Sequence, residues 1–90
     1  MANTGKKRVN FNYKGKKGSV VYLCGTFNNW NTKQKKLNDK KSSGDYSINL
    51  FLPKGKYEYK FIVDGKWILD PNCPTWTPNS FGSLNSCITV

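Results

Sequence analysis

The chain contains no histidine and only five acidic residues. The first absence removes the side chain that exchanges protons most readily near neutral pH, and with it the usual nitrogen ligand for metals. The five acids are scattered along the sequence, so the paired carboxylates of glycosidase-type chemistry have no signature here. Asp64 and Asp70 fall in DG and DP dipeptides, where a short carboxylate commonly holds backbone N–H groups. Glu58 falls on the outward face of an alternating segment, opposite its apolar neighbours, and reads as a cross-strand partner for a lysine. The three cysteines, Cys24, Cys73 and Cys87, are an odd number with no CxxC pair, no basic partner and no metal-ligand spacing. GKKG at 15–18 lacks the spacing of a phosphate loop. No apolar run approaches the ~18 residues of a membrane span. Together these gaps argue against an enzyme, a metal site, a cofactor or a membrane partner. The cysteine usage and the lack of an apolar signal segment point to an intracellular setting, cytoplasmic or plastid-associated.

What is present is aromatic and basic. Ninety residues allow one domain and one core. Thirteen of them are aromatic, five Phe, five Tyr and three Trp, which favours strands. The net charge of +10 suits anionic surroundings, but fourteen of the fifteen positive residues are lysine, which lacks the planar fork used to read bases. Residues 1–8 read as a flexible basic lead-in, and residues 9–90 as the folded module.

Period-2 alternation recurs along that module. RVNFNY puts Val9, Phe11 and Tyr13 on one face, and SVVYLC at 19–24 reads as a central strand buried on both sides. A polar excursion of about 20 residues follows, from Gly25 to Gly44. DYSINLFL aligns Tyr46, Ile48, Leu50 and Leu52, and KYEYKFIVD sends Tyr57, Tyr59, Phe61 and Val63 inward with Glu58, Lys60 and Ile62 outward. Asp64-Gly65 predicts a two-residue hairpin turn pairing Val63 with Lys66, Ile62 with Trp67 and Lys60 with Leu69. The stretch 70–82, broken by Pro71, Pro74 and Pro78, reads as a structured loop, and SLNSCITV as a closing strand. Six or so short strands and no helical period describe an all-β sandwich or small barrel.

The three tryptophans carry the functional argument. Trp30 sits among asparagines in GTFNNWN, where it is either a contact residue or a plug over the sheet end; Phe27 is the better plug. Asn28 and Asn29 are either turn formers or accessory contacts. Trp67 shares the face of Lys60, and an indole beside an ammonium suits a neutral polyol, the ring covering a sugar's apolar side while the lysine donates to hydroxyls. An ordinary Ile62–Trp67 apolar pair is the alternative. A third segment, 75–85, brings Trp76, Phe81, Ser83 and Asn85.

GTFNNW at 25–30, LPKGKYEYKFIVDGKW at 52–67, DP at 70–71 and FGSLN at 81–85, in this order, make the chain resemble a known family over about Val9 to Val90. The family is the glycogen-binding modules of AMP-activated protein kinase β subunits and their relatives in carbohydrate-binding module family 48. The resemblance implies an immunoglobulin-like β-sandwich of about six to eight short antiparallel strands. It implies non-catalytic binding of α-1,4-linked glucan (glycogen, starch or malto-oligosaccharide), targeting an attached kinase or glucan-metabolism protein to the polysaccharide. It also implies site residues: Trp30 and Trp67 gripping the glucan, Lys60 hydrogen bonding to it, and Phe81, Ser83 and Asn85 supplied by the last loop. Phe81 stands where the family has an aliphatic residue, Ser83 where it has threonine, and Trp76 is additional. Two rivals remain at this stage, a single-stranded nucleic-acid module using the same aromatic and basic equipment, and a protein-interaction β module.

Overall fold

In the computed structural model, which describes residues 5–90, alternation becomes two antiparallel sheets. The smaller pairs β1 (Lys6–Lys14) with β4 (Asp45–Pro53) in unbroken register from Lys6 opposite Pro53 to Lys14 opposite Asp45. The larger has the order β3 (Lys35–Lys36), β2 (Val21–Gly25), β5 (Lys56–Val63), β8 (Leu84–Thr89), β7 (Trp76–Pro78), with β6 (Lys66–Ile68) also paired to β5. The described residues thus form eight strands, an arrangement consistent with a β-sandwich. None of them forms a helix long and apolar enough to cross a membrane.

The two sheets share one core. Phe11, Tyr46 and Leu52 from the small sheet meet Val21, Leu23, Tyr59 and Phe61 from the large one, with Leu37 closing the side. The Phe11 and Tyr59 rings meet edge to face at 4.9 Å between centroids, a favoured aromatic geometry. Tyr59 also donates from its hydroxyl to Asp70 Oδ2 at 2.6 Å, and the Asp70 N–H donates to Ser86 Oγ at 3.0 Å. Burial, and then the Asp70 carboxylate, push the Tyr59 hydroxyl well above its ordinary pKa. The DP aspartate therefore anchors the chain after β6 to the core.

Four details depart from the sequence reading. β1 begins at Lys6, inside the segment 1–8 read as a lead-in, because Lys6 to Arg8 find partners in Phe51 to Pro53; Met1 to Thr4 lie outside the described residues. The central strand starts at Val21 instead of Ser19. The Ser19 N–H donates to the Tyr46 hydroxyl and the Val20 N–H to Asp64 Oδ1, which leaves Val20 exposed. Pairing in the DG hairpin stops at Phe61 opposite Ile68, before Lys60 and Leu69. Finally, the proline-rich loop contains β7, an edge strand whose one proline, Pro78 at its end, leaves the single ladder on β8 intact.

Candidate functional site

Cross-strand partners point to the same face of a sheet. Tyr22, Ile62 and Trp67 form one row across β2, β5 and β6 on the face away from the core, and Cys24 and Lys60 form the next. Ile62 is buried although it lies on this outer face, so the Ile62–Trp67 pair supplies a floor while Trp67 itself stays 50% exposed. The turn that presents Trp67 has positive φ at both Asp64 and Gly65, as a tight two-residue hairpin requires. It is pinned to the neighbouring chain by the Asp64 N–H on the Val20 carbonyl and by the Val20 N–H on the Asp64 carboxylate, each at 2.8 Å. That second bond, first among several causes, holds the Asp64 carboxyl below the usual range.

Trp30 reaches the same place from another direction. After Gly25 the chain makes a 3₁₀ turn, Thr26–Asn28, and then passes through two left-handed residues, Asn29 (φ 54°) and Trp30 (φ 59°). A side chain on Gly25 would stand 2.4 Å from the Glu58 carbonyl oxygen and 2.8 Å from the Phe27 ring, so only glycine fits this close passage. Phe27 folds inward beside Phe11 and Tyr57, as a plug would. Asn28 is occupied with the loop itself: its Oδ1 accepts from the Gly25 N–H at 3.0 Å and its Nδ2 donates to the Asn31 carbonyl at 3.3 Å. Asn29 is exposed. The result brings the Trp30 and Trp67 rings to 6.5 Å between centroids, inclined at 50°.

Beside this pair lies a polar half. Lys60 Nζ donates to Ser83 Oγ at 3.1 Å. Asn85 shares a row with Thr77 and lies one residue from Ser86, whose partner Tyr59 faces the core, so Asn85 faces the Lys60 side. It is buried, and its carboxamide accepts from Asn79 Nδ2 at 2.9 Å and donates to Glu58 Oε1 at 3.0 Å. Phe81 is 91% exposed at the tip of the same loop, just before Gly82 (φ 80°).

The structure therefore gathers Trp30, Lys60, Trp67, Ser83 and Asn85 on one side of the large sheet, with Phe81 on the adjoining loop tip. It does not gather Trp76. That residue pairs with Ser86, which in turn pairs with Tyr59, placing it in a row directed to the core face, at the sheet's edge. Sequence reading missed Asn79, whose part is clear only once the loop closes: its N–H and carbonyl bond Ser83 and Gly82, and its side chain four further groups. Cys24 is fully buried, and burial raises its pKa to about 11. Among the described residues no group of three or more Cys, Asp or Glu side chains converges as a metal site would need. A cleft of about 390 Å³ opens elsewhere, lined by Lys17, Lys36, Asn38 and Tyr46 among others.

Comparison with known proteins bears on this site. A family model described as the glycogen recognition site of AMP-activated protein kinase matches residues 7–90. The mouse 5'-AMP-activated protein kinase subunit beta-2 is 42% identical over 73 residues, which cover 81% of this chain and 26% of that protein. The human beta-2 subunit matches with the same identity over 25% of its length, and the pig beta-1 subunit over 56%. The chain thus spans about a quarter of the first curated relatives it matches.

Proposed function

The chain belongs to the family of AMP-activated protein kinase glycogen recognition sites, a non-catalytic carbohydrate-binding family, and from that premise we propose that it binds α-1,4-linked glucan across the Trp30–Trp67 face. Glycogen, starch and malto-oligosaccharides all present this linkage. The observation that carries the reading is the pair of indoles held 6.5 Å apart and inclined at 50° on an open face. Two coplanar rings suit a flat polysaccharide; two inclined rings suit a chain that curves, as α-1,4-glucan does. Lys60, Ser83 and Asn85 address the hydroxyls at one side of the platform, and Phe81 projects toward the ligand from the loop above. An open platform also lets a polymer pass through in both directions, which a closed pocket does not.

The module's role is to hold an attached or associated protein, a kinase or an enzyme of glucan metabolism, at the polysaccharide inside the cell. The two sheets sharing a core fit the immunoglobulin-like sandwich that such modules adopt.

Calorimetric titration with maltoheptaose and β-cyclodextrin, at low and high salt, tests the reading on this chain and on Trp67→Ala. The expected outcome is saturable heat that changes little with salt and disappears in the variant. Absence of heat from folded wild type at millimolar sugar removes the α-glucan reading. In that case saturable binding of a single-stranded oligonucleotide that collapses steeply as salt rises identifies a nucleic-acid ligand instead.

A further inference from the structure

The hydrogen bonds beside the tryptophan pair have a fixed direction, and it can be worked out from their two ends. At one end Asn79 Oδ1 accepts from the backbone N–H groups of Phe81 (2.9 Å) and Ser83 (3.1 Å). Backbone N–H groups only donate, so this amide cannot be turned over, and its Nδ2 must face Ser83 Oγ (2.8 Å) and Asn85 Oδ1 (2.9 Å). At the other end Glu58 Oε1 takes a hydrogen from Asn85 Nδ2 at 3.0 Å. An ionised carboxylate only accepts, so Asn85 is fixed in the same sense. The Glu58–Asn85–Asn79 relay is thus locked from both sides.

The consequence falls on Ser83. A hydroxyl has two lone pairs and one hydrogen. Lys60 Nζ, which can only donate, takes one lone pair, and Asn79 Nδ2 takes the other. What Ser83 has left is its hydrogen. Lys60 keeps two further N–H groups beside it, so the polar half of the site offers donors.

We propose that Asn79 is a positioning residue that commits Ser83 to donate, so that the site reads a sugar oxygen as a hydrogen-bond acceptor shared between Ser83 and Lys60. This rests on the α-glucan reading and adds to it which partner in the bond is which. It also gives a second task to a loop residue whose bonds to backbone would otherwise look purely architectural.

The test uses maltoheptaose titration of the 90-residue chain, with urea midpoints recorded for every variant. Asn79→Asp keeps the oxygen that caps the Phe81 and Ser83 N–H groups but replaces the donating nitrogen with an acceptor, so Ser83 turns its hydrogen inward. Affinity is expected to fall about fivefold, the worth of one neutral hydrogen bond, at low and high salt alike. Ser83→Ala should fall by a similar factor. The double variant should be no weaker than Ser83→Ala, because both changes remove the same bond. Asn79 is already fixed by the Phe81 and Ser83 N–H groups, so Glu58→Leu should change affinity less than about twofold. Ser83→Ala carries the test if Asn79→Asp does not fold. Wild-type affinity in folded Asn79→Asp, or in Ser83→Ala, overturns the proposal while leaving glucan binding intact. A wild type that ignores maltoheptaose overturns both, and is distinguished by that fact.

Discussion

Trp67 and Trp76 are exposed to nearly the same extent, 50% and 54%, yet they stand in different company. Trp67 lies on the outer face over Ile62, beside Trp30, with Lys60 in the neighbouring row of the same sheet. Trp76 lies on an edge strand, in the row of Ser86 and Tyr59, directed to the opposite face. An exposed indole is therefore not a site by virtue of exposure. It becomes one when a second ring and a set of oriented polar groups share its face, so that a single ligand touches all of them.

That contrast can be tested by removing its parts. The largest effect is expected from Trp30→Ala, which leaves Trp67 as isolated as Trp76: about 2 kcal/mol of maltoheptaose affinity, or roughly thirtyfold, read by calorimetry. Gly25→Ala leaves both rings in the sequence but drives a methyl against the Glu58 carbonyl and Phe27. About 1–3 kcal/mol of stability should be lost in urea denaturation, with weakened sugar binding as Trp30 shifts. Phe81→Ala removes an almost fully exposed ring, so stability should hold within ~0.5 kcal/mol. Affinity should drop by about 1 kcal/mol, because that ring is covered only when ligand is present. Trp76→Ala is the control, expected to change affinity less than about twofold. A large loss there would extend the binding surface around the sheet edge and end the contrast.

Much of this was legible in the sequence because local chemistry dictated it. Asp64-Gly65 fixes a two-residue turn, the turn fixes register, and register sets Trp67 opposite Ile62. The alternation in β4 and β5 likewise names the residues that face the core. What was not legible depends on partners distant in sequence. The face of Trp76 is chosen by its pairing with β8, and three prolines nearby hide a strand that needs hydrogen bonds on one edge only. Asn79 resembles any loop asparagine until Phe81, Ser83 and Asn85 close around it. Glu58 was read correctly as outward-facing, but the partner expected for it was a lysine, and the one it has is Asn85, 27 residues away in sequence.

The left-handed backbone at Trp30 sets two selective pressures against each other. A bulky residue at φ 59° costs on the order of 1–3 kcal/mol that glycine would not incur. A library of residue-30 variants sorted only for heat resistance should accordingly enrich Trp30→Gly, and the same library sorted on immobilised amylose should purge it. The residue that survives each sort reports which demand, durability or recognition, the position was shaped to meet.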